Sequence, residues 1–113
     1  MVKRITLNAR DDIDQIASYI SIDDLHAAVR FVDCALNTFF EKPDELIPRK
    51  VFPEFSETIR ALTVQGFSGY IVYYAEMRNG LYMLAVVAPG ISDVHRQRTI
   101  GIGLDDAREG AYE

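Results

Sequence analysis

The sequence predicts an α+β fold: an N-terminal strand, a helical hairpin, then a three-stranded antiparallel meander, with both helices on one face of a four-stranded sheet. Three observations carry this. Val2–Leu7 alternates apolar and polar residues, the period of a half-buried strand. Two stretches with helical apolar spacing follow, joined by a link so short that they must pack side by side. Three runs rich in β-branched and aromatic residues then succeed one another, separated by turn signals.

The first helix is expected over Asn8–Ile20, with Asn8 as N-cap and Asp11 and Asp12 near the positive end of the helix dipole. Ala9, Ile13, Ile16, Ala17 and Ile20 fall in one stripe. The second helix is expected over Asp23–Lys42, capped by Ser21 or Asp23 and ended by Pro43. Its stripe runs through Leu25, Ala28, Val29, Val32, Leu36 and Phe39, with Val29, Leu36 and Phe40 on one flank and Phe31, Ala35 and Phe39 widening the other, which puts Cys34, Arg30, Thr38 and Glu41 on the outer side. Residues 43–57, with Pro43, Pro48 and Pro53, read as an irregular connection whose Val51, Phe52 and Phe55 tuck against the domain. The strands are Thr58–Gln65, Gly69–Met77 and Gly80–Ala88; Asn79-Gly80 supplies the positive φ angles of the last hairpin. The crossover through the helices lets the first strand lie parallel to a neighbour. Beyond the meander, 94–113 reads as a variable tail with no element of its own.

Composition narrows function. The 113 residues suit one domain, and 49% apolar with 11% aromatic residues can bury a core. Twelve basic against 17 acidic residues give a net charge of −5, which disfavours a broad phosphate-binding face. One cysteine excludes an internal disulfide framework and fits a reducing, cytoplasmic setting. The longest apolar run, Leu81–Ala88, is 8 residues, too short to span a membrane. The start runs directly into a strand, without a signal-peptide apolar region.

Several motifs resemble the RelE/ParE toxin superfamily, the toxin half of bacterial type II toxin–antitoxin (plasmid-stabilisation) modules. The resemblance covers about residues 2–93. It is carried by Ile5-Thr6-Leu7-Asn8-Ala9-Arg10-Asp11-Asp12-Ile13, by the "I-x-x-Y-I"-like Ile16-Ala17-Ser18-Tyr19-Ile20, and by Ala27-Ala28 with Phe31-Val32. Phe39-Phe40-Glu41-Lys42-Pro43-Asp44-Glu45-Leu46, the arginine-led Ile59-Arg60-Ala61-Leu62 and the tyrosine-ended Ile71-Val72-Tyr73 complete it. The resemblance implies a ParE-like toxin that inhibits DNA gyrase by binding, is not an enzyme, and is neutralised by a ParD-like antitoxin. A RelE-like ribosome-dependent mRNA endonuclease is the second reading, and an inactive relative that only binds an antitoxin is the third. The chain departs from the family after the last strand. Pro89-Gly90-Ile91-Ser92-Asp93 stands where relatives carry a histidine and arginines, which speaks against RNA cleavage.

No catalytic residue and no cofactor or metal are expected. Arg60, Tyr73, Arg96 and Arg98 are the expected partner contacts, from sheet-face placement and charge. His95-Arg96-Gln97-Arg98 is the most basic cluster, but residues 99–113 hold one base and four acids, so the run reads as solvated surface rather than an RNA site. Asp11-Asp12 and Asp23-Asp24 read as helix-start acids, and His26 as a surface histidine. Gly101-x-Gly103 lacks the lysine and strand–loop–helix setting of a phosphate loop. Tyr70, Tyr73, Tyr74 and Tyr82 read as core rather than a base-stacking platform. The last two strands are apolar on both faces. Something beyond the hairpin must therefore cover the second face: the 43–57 connection, the tail, or another chain. A partner matching this acidic chain would carry Lys or Arg among its apolar anchors.

Overall fold

The computed structural model describes residues 2–41, 55–78 and 80–113. Strand β1 (Val2–Ile5) leads into helix α1 (Leu7–Ser21), followed by α2 (Leu25–Glu41), β2 (Arg60–Thr63), β3 (Ile71–Met77), β4 (Gly80–Val87) and α3 (Asp93–Glu109). The sheet order is β1-β4-β3-β2. β1 lies parallel to β4, with Ile5 opposite Met83, and the last three strands are antiparallel. The α+β expectation therefore holds, as does the parallel placement of the first strand.

The two sheet faces build separate cores. On one, Ile5, Ala9, Ile13, Phe31, Ala35, Phe39, Val72, Tyr74 and Met83 join α1 and α2 to the sheet. On the other, Tyr73, Ala75, Tyr82, Leu84, Ala85 and Val87 meet Ile100, Leu104 and Ala107 of α3. The expected tail is thus a helix of 17 residues, and it is what covers the second face. Ser92 caps its start by accepting from the His95 N–H at 3.2 Å, and Gly110 ends it at φ 79°. Phe55 also packs on this side, as expected of the connection, whereas Val51, Phe52 and the Lys42 helix end lie outside the described residues.

Alternation along β4 slips by one residue at Leu84. Tyr73 pairs with Ala85 but Tyr74 with Met83, so Leu84 is the extra residue of a bulge. Leu84 and Ala85 consequently both face α3, while Met83 and Val86 face the hairpin. The Leu84 carbonyl accepts from Asn8 Nδ2 at 3.0 Å. Asn8 is therefore not the N-cap. Thr6 is: its Oγ1 accepts from the Ala9 N–H at 3.1 Å and donates to the Met83 carbonyl at 2.8 Å. A carbonyl left over by a bulge needs a donor, and the Asn8 amide supplies it.

Other local expectations are corrected by packing. Asp24, not Ser21 or Asp23, caps α2, accepting from the Ala27 N–H at 3.0 Å. The buried stripe of α2 is Ala28, Phe31, Ala35, Thr38 and Phe39, rotated from the expected one. Leu25 and Val29 are left 68% and 57% exposed, and Cys34 is half-buried against the core. Phe31 fixes the rotation because its ring fits against Phe67 and Tyr70, at centroid separations of 5.3 and 5.2 Å. Buried Thr38 is satisfied by accepting from the Gln65 N–H at 3.0 Å. In the last hairpin the positive φ falls on Arg78, at 56°, not on Gly80; Asn79 lies outside the described residues.

Candidate functional site

The expected contact residues do not form one site. Tyr73 and Arg96 do meet, on the α3 side. Burial pushes the Tyr73 hydroxyl pKa up, and the Arg96 guanidinium beside it, a hydrogen-bond donor to that hydroxyl, partly offsets this. Arg96 is also paired with Asp93 and donates to the Ile91 carbonyl at 3.4 Å; its side chain is 16% exposed. It is a structural cation at the start of α3, not part of a solvated run. Arg60 stands opposite Tyr74, whose side chain belongs to the hairpin-side core, so the sheet separates Arg60 from Tyr73. Arg98 is exposed, two positions from Arg96 and so on another side of α3. His26 is exposed as expected. Tyr73, Tyr74 and Tyr82 are buried and Tyr70 half-buried, which is the core reading, not a stacking platform.

A different constellation converges where α1, the C-terminal end of β4 and the start of α3 meet. A cleft of about 420 Å³ opens there, lined by Asp12, Gln15 and Tyr19 of α1, by Tyr70, by Pro89, and by His95. That volume lies in the range of ordinary ligand pockets. Asp12, Ile16 and Tyr19 share one side of α1 because they are four and three residues apart. Tyr70 is held by an edge contact to Phe67 and a tilted ring contact to Phe31. Gly69, at φ 87°, lets Pro89 close in: a Cβ there would sit 2.8 Å from Pro89 Cγ. The aromatic wall and the end of β4 are thereby brought together.

Asp12 is the residue sequence reasoning misread. Because α1 starts at Leu7, Asp12 lies in its second turn, where it neither caps nor meets the dipole. Its Oδ2 accepts from the Val86 N–H at 3.0 Å and from the Thr99 hydroxyl at 2.7 Å. Thr99 Oγ1 in turn accepts from Asn8 Nδ2 at 2.9 Å, so one polar chain ties α1, β4 and α3. Burial pushes the Asp12 carboxyl pKa up; the Thr99 and Val86 hydrogen bonds and the nearby His95 oppose that rise, and Asp11 adds to it. Among the described residues Asp12 makes no ion pair. The only signal in the sequence was its place on the Ile13–Ile16 side of α1.

Among the described residues, no group of three or more His, Cys, Asp or Glu side chains is placed to hold a metal ion. No helix among them is long and apolar enough to cross a membrane. No family model matches the sequence, and no curated protein matches it.

Proposed function

We propose that the chain is a ParE-like toxin of a type II toxin–antitoxin pair, a cytoplasmic protein that binds and inhibits DNA gyrase and is neutralised by a cognate ParD-like antitoxin. The observation that carries the reading is the chain path. Strand, helical hairpin and meander follow in the order the resemblance implies, and β1 enters parallel to β4. Of the motif residues, Tyr19 lies near the end of α1 and Arg60 at the start of β2, whereas β3 continues four residues beyond Tyr73.

Action by binding is supported by the separation of Arg60 and Arg98 from the Tyr73–Arg96 pair, so that the four residues give no single centre for chemistry on a phosphate. The second sheet face, covered by α3, offers no apolar platform. Apolar surface is available on the helical hairpin, where Tyr19, Ile22, Leu25 and Val29 are 75%, 76%, 68% and 57% exposed, and Val94 and Ile102 of α3 are exposed as well.

Inducing the chain alone in bacteria, with DNA and protein synthesis labelled separately, tests this. Replication arrest with a DNA-damage response is expected, and purified protein should inhibit supercoiling by gyrase. Immediate loss of translation would mark the endonuclease instead, and unimpaired growth the inactive relative. Pull-down of the product of the neighbouring open reading frame tests the antitoxin.

A further inference from the structure

The cleft beside Asp12 has a chemistry of its own. Its walls are apolar and aromatic, yet they enclose a half-buried carboxylate that has no cationic partner among the described residues. Among the described residues, both hydrogen bonds to that carboxylate fall on Oδ2, and Oδ1 accepts none. Holding a carboxylate in such surroundings is costly unless a positive group or several donors answer it. His95 lines the same cleft from α3, but it is exposed and forms no ion pair with Asp12 among the described residues.

We propose that this cleft receives an arginine side chain presented by a partner protein chain. The guanidinium would donate to Asp12 Oδ1 while its planar face lies against the rings of Tyr19 and Tyr70. Carboxylate and aromatic faces together suit a planar cation better than the more strongly hydrated lysine ammonium. The cleft is larger than one side chain needs, and Ile16 and Ile91 add apolar lining, so an apolar neighbour of the arginine enters with it. The chain's net charge of −5 favours a basic segment and repels phosphate-bearing ligands. Tyr70 is a rigid wall, fixed by Phe31 and Phe67, whereas Tyr19, 75% exposed, is free to close on the occupant. The proposal does not rest on the toxin reading, because the cleft's chemistry is the same whatever the partner does.

The test is a titration of the full-length ¹⁵N-labelled protein, followed by amide chemical shifts. The probe is the capped tripeptide acetyl-leucyl-arginyl-leucyl-amide, with its citrulline analogue and acetyl-argininamide for comparison. Saturable shifts are expected at Asp12, Gln15, Tyr19, Tyr70 and Val87. The neutral citrulline peptide and the Asp12→Asn variant should each weaken binding about tenfold or more, since either removes one charge of a charge-assisted pair. Tyr19→Ala, at an exposed position that folding does not need, should weaken it about threefold and carries the test should Asp12→Asn fail to fold. Equal binding of the citrulline and arginine peptides overturns the proposal, as does undiminished binding by both variants or a shift map centred on Leu25 and Val29. If acetyl-argininamide binds as tightly as the tripeptide, the occupant is a small guanidinium compound and the partner chain is ruled out.

Discussion

Gly103 is the residue on which α3 comes closest to the sheet, and replacing it by alanine probes the three-layer fold directly. A Cβ at Gly103 would lie 2.0 Å from the Leu84 carbonyl oxygen, 2.6 Å from its carbon and 2.7 Å from its Cα. All three are backbone atoms of a strand paired on both edges, so no side-chain rotation relieves the contact. Either α3 retreats by about an ångström or the bulge distorts, and any retreat loosens Ile100, Leu104 and Ala107, all buried. Overpacking of this kind costs about 3 kcal/mol at the upper end of its usual range. Alanine's better helix propensity returns about 1 kcal/mol. The net expectation is a loss of about 2 kcal/mol, or roughly 8 °C in Tm for a domain of this size. Gly101 is the internal control, because a Cβ there meets only the Phe55 ring at 3.6 Å, an ordinary contact. Gly101→Ala should therefore leave stability unchanged or raise it by up to about 1 kcal/mol. Thermal and urea unfolding followed by circular dichroism measure both. A Gly103→Ala protein as stable as wild type would refute the close packing of α3 on Leu84.

Two further predictions concern charge and pH. Because the native Asp12 pKa is raised above 3.8, the folded state takes up this proton before the unfolded state does, so Asp12's contribution to stability rises as pH falls through its native pKa. Asp12→Asn, whose amide oxygen can still accept from Val86 and Thr99, should match or exceed wild-type stability at pH 7, with the gap closing toward pH ~4; Asp12→Ala should lose about 1–3 kcal/mol. Wild type more stable than Asp12→Asn at pH 7 would sink the argument. For Glu57 the sign is opposite: burial pulls its carboxyl pKa up, but the Arg108 guanidinium, 2.8 Å from both oxygens, outweighs that and leaves it below 4.5. The pair's stabilisation is therefore full above pH ~4.5 and fades as pH falls through the lower native value. With Arg108 44% exposed, Arg108→Gln should cost only about 0.5–1 kcal/mol at pH 7, vanishing near pH 3 in urea titrations.

The elements legible in the sequence were those whose own pattern decides them. Apolar spacing placed α1 and α2, and β-branched and aromatic runs placed β3 and β4 with their two buried faces. What the sequence hid was decided by contacts between elements. α2 turned its stripe toward Phe31 because Phe67 and Tyr70, some forty residues on, supply the rings it meets. α3 has a weak helical pattern because Arg96, Arg98, Asp105, Asp106 and two glycines dilute its apolar face, although Ser92 and Gly110 stand at its two ends as cap signals. The bulge at Leu84 has no local signature, since it shows only in pairing with β3.

These hidden features are also the ones that make the cleft. Without the extra residue at Leu84, the remainder of β4 would present its other face, and the Val86 N–H that holds Asp12 would not fall where it does. Without α3, Asp12 would lose the Thr99 hydroxyl, and the Asn8–Thr99 bonds that tie the three layers would have no second end. The polar residues of the helix that looked like a solvated tail are thus divided between two tasks. Arg98 meets solvent, whereas Thr99 fixes the Asp12 carboxylate that lines the cleft. An acid restrained from two elements, with Oδ1 accepting no hydrogen bond among the described residues, has the fixed orientation that the proposed guanidinium contact requires.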